Sequence, residues 1–111
     1  MIRSNPSKKL ALRIVSEVDF DHRIEGFRLR ERAGILHIRL YSFSEVVHFL
    51  SDPFPRIDLE ALGRWVRDIM QDSELSEMIG QIAATEASDL EKTSRIRNLM
   101  GIRLVQAKKS M

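Results

Sequence analysis

The feature that most constrains the fold is a change of hydrophobic period at Ser42. Before it, "GFRLRERAGILHIRLY" (residues 26–41) alternates apolar and polar side chains, the two-residue period of a half-buried strand. Phe27 and Leu29 alternate with Arg28 and Arg30; beyond Arg32-Ala33-Gly34, the residues Leu36, Ile38 and Leu40 alternate with His37, Arg39 and Tyr41. Gly34 can supply the positive φ that a three-residue hairpin loop commonly needs. The pattern predicts a β-hairpin over 26–41 with Phe27, Leu29, Leu36, Ile38 and Leu40 turned inward. Arg28, Arg30, His37, Arg39 and Tyr41 then form an outer, basic face.

After Ser42 the period is helical. Ser42 and Glu45 have the spacing of a capping box, and Val46, Val47, Phe49 and Leu50 make a short amphipathic face. "SDPFPR" ends it, because two prolines in three residues cannot continue a helix. Asp58 can cap a second helix with the stripe Leu59, Leu62, Val66 and Ile69, whose outer side pairs Glu60 with Arg64 and Arg64 with Asp68. That stripe is expected to face the apolar side of the hairpin. Asp72 and Ser73 restart the chain into a third helix, with Glu74 and Glu77 near its positive end and Leu75, Met78, Ile79 and Ile82 inside. Ser88 and Glu91 cap a last helix carrying Leu90, Ile96, Leu99, Met100 and Leu104, which Gly101 either weakens or ends.

The segment before the hairpin supports two readings. Leu10, Leu12, Ile14, Val18 and Phe20 occupy even positions, as in a strand, while Leu10, Ala11, Ile14, Val15 and Val18 also share one helical face behind Asn5-Pro6. The alternation through Phe20 favours the strand. Strands first and helices after give an α+β class: a small antiparallel sheet of two or three strands packed against three to four C-terminal helices. A chain of 111 residues fits one domain, taken as 8–106 between loose tails at 1–7 and 107–111.

Composition narrows function by exclusion. No cysteine is present, which removes disulfides, thiolate metal sites and thiol catalysis, and accords with a reducing cytoplasm. The net charge of +2 is too small for a strong nucleic-acid binder. No apolar run is long enough to span a bilayer, and the early apolar stretch is interrupted by Ser16, Glu17 and Asp19, unlike a secretory signal. A cytoplasmic protein with no membrane partner is expected.

The motifs from the hairpin into the third helix resemble those of a small uncharacterised prokaryotic domain family. In that family an F-x-L hairpin core and a short helix precede a helix with W-[IV]-x-D-[IV] and then D-x-E-L-[AS]-E. Phe27 and Leu29 match the hairpin; Trp65, Val66, Asp68, Ile69, Asp72, Glu74, Leu75, Ser76 and Glu77 match the helical part, so the similarity covers about residues 26–82. The family's histidine and Asn-Asp-Phe run before the tryptophan are replaced by "IDLEALGRW", with Ala61 and Leu62 at the Asp-Phe pair. The resemblance implies the topology and brings no established activity.

Four features could carry chemistry. Trp65 lies beside the Leu62–Val66–Ile69 stripe, where a tryptophan either closes the core edge or anchors a partner. Asp19, Asp21, His22 and Glu25 could gather round a cation, but their spacing matches no ligand loop, and a turn between strands wants polar residues anyway; no metal or cofactor is expected. Arg28, Arg30, His37, Arg39 and Tyr41 could hold phosphates and stack a base, or be an ordinary solvated sheet face. The tight joint at Gln71-Asp72-Ser73 has the look of a helix-turn-helix. Residues 74–87 nevertheless hold three glutamates and no lysine or arginine, which argues against major-groove reading. The isolated glycines cradle no phosphate, and no nucleophile stands at motif spacing from His22, His37 or His48. The expected function is a non-catalytic interaction or regulatory module taking a protein partner, or itself, through Arg28, Arg30, His37, Arg39, Tyr41 and Trp65. The alternative is a nucleic-acid-binding accessory protein using the basic hairpin face, and a small enzyme comes third.

Overall fold

The computed structural model describes residues 2, 4–30, 34–52 and 55–111, with the side chains of Arg28, Leu29 and Arg30 outside that description. The element order is α1 (Lys8–Val15), a 3-10 turn (Phe20–His22), β1 (Ile24–Arg30), β2 (Gly34–Leu40), α2 (Phe43–Leu50), α3 (Leu59–Trp65), a π-helical turn (Val66–Met70), α4 (Ser73–Ala83) and α5 (Asp89–Lys109). The class is α+β, with one two-stranded antiparallel sheet. Arg32 and Ala33 of the expected turn, and Pro53 of the proline break, lie outside the described residues.

Residues 8–15 correct the strand reading. The Ser7 hydroxyl accepts the Leu10 N–H and starts a helix whose Ala11 and Ile14 are buried against α5, while Leu12 turns to solvent. Both periods were present in the sequence; the cap and an i, i+3 buried pair decide for the helix. The strand survives only as an antiparallel bridge between Glu17 and Ser42. Phe20, counted among the inward positions, is 61% exposed.

The later helices start where their caps predict. Ser42 accepts from Glu45 N–H, Asp58 from Glu60 and Ala61, Asp72 from Leu75, and Ser88 from Glu91. Asp68 pairs with its neighbour Arg67 at 2.9 Å rather than with Arg64, and that hydrogen bond holds its carboxyl below the ordinary carboxylate range. Gly101 does not end α5. The helix continues to Lys109 and buries Ala107, so the expected C-terminal tail is mostly its last turns. The N-terminal segment is likewise packed: Pro6 is buried and the Ser4 carbonyl accepts from Arg103.

The body is helical. The helices α1, α2 and α4 lie on α5, and α3 lies on α4, where Gly63 admits Ile79 and its carbonyl accepts from the Ser76 hydroxyl at 2.8 Å. Leu62, Val66, Leu75 and Ile79 are fully buried there, with Ile69 half-buried. The expected facing of Leu62, Val66 and Ile69 to the hairpin therefore gives way to packing on α4. The hairpin is held at its base instead, where Ile24 and Leu40 are buried and Gly26 sits under the Phe49 ring of α2. Farther out, Ile35 and Leu36 are exposed.

Candidate functional site

The register runs from Ile24 opposite Leu40 to Arg30 opposite Gly34, so three residues close the loop and even positions stand opposite even ones. This corrects the expected single basic face. Arg28 pairs with Leu36 and Arg30 with Gly34, in the set that includes Ile24, Gly26, Ile38 and Leu40. Phe27 pairs with His37 and Glu25 with Arg39, in the opposite set. In an antiparallel pair, partners share a face, so loop length alone decides whether the arginines of the two strands meet. Of the expected surface, His37, Arg39 and Tyr41 stay together.

Residues outside the hairpin complete that face. The 3-10 turn folds Phe20 back, and the Arg23 and Arg39 guanidinium groups each lie 5.1 Å from the centre of its ring, Arg23 also 5.6 Å from that of Tyr41. His37 Nδ1 is 2.9 Å from Glu25 Oε1, and its ring meets the edge of Phe27 with centroids 4.9 Å apart. The Glu45 carboxylate accepts from the Tyr41 hydroxyl and pushes the phenol pKa above its ordinary value. Glu25 is thus engaged by His37. Among the described residues, Arg23 and Arg39 have no carboxylate within ion-pair distance. Sequence reasoning missed Phe20 and Arg23, since the reversal that brings them here has no period.

The two edges of the hairpin differ. Phe27 donates its N–H away from β2, to the Arg56 carbonyl at 2.7 Å, so the β1 edge is covered there. The Phe27–His37 pair is then a non-hydrogen-bonded one. By alternation, Ile35, His37 and Arg39 turn their N–H and C=O groups to the outer edge of β2. Tyr41, next in that set, gives its carbonyl to Val18 N–H at 2.8 Å. From Ile35 to Arg39 that edge has no backbone partner among the described residues.

Trp65 is not part of this surface. It is 6% exposed and donates from Nε1 to the His22 carbonyl at 2.7 Å, which satisfies its one polar atom inside. The carboxylates and histidine of "DFDHRIE" do not converge, and among the described residues no three such groups are arranged to hold a metal. A separate open cleft between α2 and α5 is lined by Val47, Gly101, Ile102, Val105, Arg97 and Lys109, with no carboxylate or histidine on its walls among the described residues.

A second polar cluster is internal; the sequence reading marked its Asp72 and Glu74 but not Arg103, which joins them. Arg103, 1% exposed, donates Nε–H and Nη2–H to the Asp72 carboxylate, a further Nη2–H to Glu74, and from Nη1 to the Ser4 carbonyl and Gln106. All five guanidinium donors are used. It ties the N-terminal segment, the α3–α4 joint and α5 together, and leaves no donor for a ligand. Its trace in the sequence is positional: Thr93, Ile96, Met100, Arg103 and Ala107 form one buried stripe.

No helix among the described residues is long and apolar enough to cross a membrane. No protein-family model, no curated protein and no solved structure matches the chain.

Proposed function

We propose that the protein is a non-catalytic interaction module that takes a protein partner on its projecting hairpin. One observation carries this reading: among the described residues the edge of β2 from Ile35 to Arg39 has no backbone partner, Ile35 and Leu36 beside it are exposed, and Phe20, Arg23 and Arg39 form its rim. A fold that buries Trp65, every donor of Arg103 and the stripes of five helices leaves this element projecting. The residues that match the family-like motif, Trp65, Val66, Asp72 and Leu75, serve packing and capping, so they supply the platform rather than the contact. The test is capture of partners with the intact chain and with an Ile35→Ser, Arg39→Ser variant, each with and without nuclease. Partners that survive nuclease and are lost with the variant support the reading; identical captures remove it.

The exposed aromatic flanked by cations favours one second reading, single-stranded nucleic acid. Two guanidinium groups already lie over Phe20, so a base would have to displace one of them to stack. Binding of a short RNA that weakens steeply with salt and disappears on Arg39→Ser would support it.

A further inference from the structure

We infer that the partner contributes an extended segment alternating acidic and apolar residues, which adds to the outer edge of β2 as a third strand. This rests on the protein-binding reading above and names the partner's chemistry.

The backbone sets the mode. Ile35, His37 and Arg39 each present an N–H and a C=O to the same edge, open among the described residues and spaced as a strand requires. The protein itself begins such a strand on that edge. Val18 N–H donates to the Tyr41 carbonyl and Glu17 bridges Ser42 antiparallel, before the chain leaves at the Phe20–His22 turn. An added segment would continue that ladder outward along β2.

The side chains set the composition. On one face the new strand runs beside His37 and Arg39, with Arg23 near; among the described residues those two arginines lack carboxylate partners, so acidic side chains fit there. On the other face it runs beside Leu36 and the half-buried Ile38, where apolar side chains remove exposed surface from water. Residues 23–41 hold five arginines against two glutamates. A second copy of this chain would set those arginines against their own kind, so an acidic segment is the better match.

The probe is a short synthetic peptide alternating glutamate with valine, added to the full-length protein labelled with nitrogen-15. The expected result is slowed hydrogen exchange at the amides of Ile35, His37 and Arg39. Those of Leu36 and Ile38, which face β1, should change little. Arg39→Glu should weaken the peptide about tenfold or more. His37→Pro removes an edge-facing N–H together with the ring that meets Glu25 and Phe27, and should abolish binding, whereas His37→Ala, which loses the same ring and keeps the N–H, should still bind; in both the Leu36 and Ile38 amides should keep their protection. Shifts at Phe20 and Tyr41 without slowed exchange would overturn strand addition but leave the hairpin as the docking surface. No response to the peptide, with partner capture still lost on Ile35→Ser, Arg39→Ser, would likewise overturn this inference alone. Capture indifferent to that variant would overturn both. Binding of single-stranded RNA in place of the peptide, or protection of the same amides by raised protein concentration alone, would give the edge to another occupant.

Discussion

Arg103 and Asp72 form a buried, two-point ion pair across 31 positions of sequence, with Nε 2.8 Å from Oδ2 and Nη2 3.2 Å from Oδ1. The same Oδ1 also caps α4 by accepting the Leu75 N–H. The π-helical turn makes this possible. It ends with Gln71 in the left-handed region at φ 61° and delivers Asp72 to the interior, where it is 2% exposed. Breaking such a pair costs more than forming it contributes, because the surviving charge stays buried.

Arg103→Met keeps the volume and strands the carboxylate of Asp72. It is expected to lose about 3–5 kcal/mol of stability in urea unfolding. Adding Asp72→Asn leaves an oxygen for the α4 cap and no buried charge from that residue, so the double variant should recover part of the loss. A double variant as unstable as the sum of the two single ones would mean that the pair acts only through separate contacts.

Trp65 makes its own test of burial. Trp65→Ala is expected to cost about 3–5 kcal/mol, and the native emission of this single tryptophan should be blue-shifted. Trp65→Phe keeps most of the packing and removes the donor to the His22 carbonyl, so its cost should be nearer 1 kcal/mol plus the lost volume. Equal melting of Trp65→Ala and the natural chain would place Trp65 on a surface after all.

These two residues mark the boundary of what the sequence discloses. The caps of α2, α3 and α5 were legible, because Ser42, Asp58 and Ser88 bond to N–H groups two or three residues on; for α4 the restart at Asp72 and Ser73 was legible, but not that Asp72 is its cap. The hairpin was legible from its alternation, and so was the outward direction of His37, Arg39 and Tyr41. Which face Arg28 shares was not, since it depends on the count of loop residues and not on the alternation within either strand. The Arg103 network was illegible for a related reason: an arginine in a buried stripe is visible as a position, but its partner is chosen by tertiary packing. Phe20 and Arg23 join the candidate surface only through a single 3-10 turn.

Tyr41 is the only tyrosine, so its ionisation can be followed by absorbance without ambiguity. Its pKa should lie above the usual phenol value of about 10, because the Glu45 carboxylate accepts from the hydroxyl and repels the phenolate. Since the folded value is raised, the contribution to stability is full below the unfolded value and is lost as pH rises through the folded one. Glu45→Gln removes the charge and should bring the titration back toward the ordinary value. A titration that does not move on that change would remove Glu45 as the cause.

Two glycines should respond to the same substitution with opposite signs. A Cβ on Gly26 would stand 2.7 Å from Cζ and 2.9 Å from Cε1 of Phe49, a ring 1% exposed and held in the core. The ring or the hairpin must move, so Gly26→Ala is expected to cost about 1–3 kcal/mol. Phe49→Leu should relieve part of that cost when the two are combined. Gly101 lies inside α5, and a Cβ there meets nothing within 4 Å. Gly101→Ala removes unfolded-state freedom without a clash and should stabilise by about 0.5–1 kcal/mol. Thermal melts of the two variants and the Phe49 combination decide the matter. A harmless Gly26→Ala would mean that the hairpin does not rest on Phe49, and a destabilising Gly101→Ala would mean that the α2–α5 cleft closes on that glycine in solution.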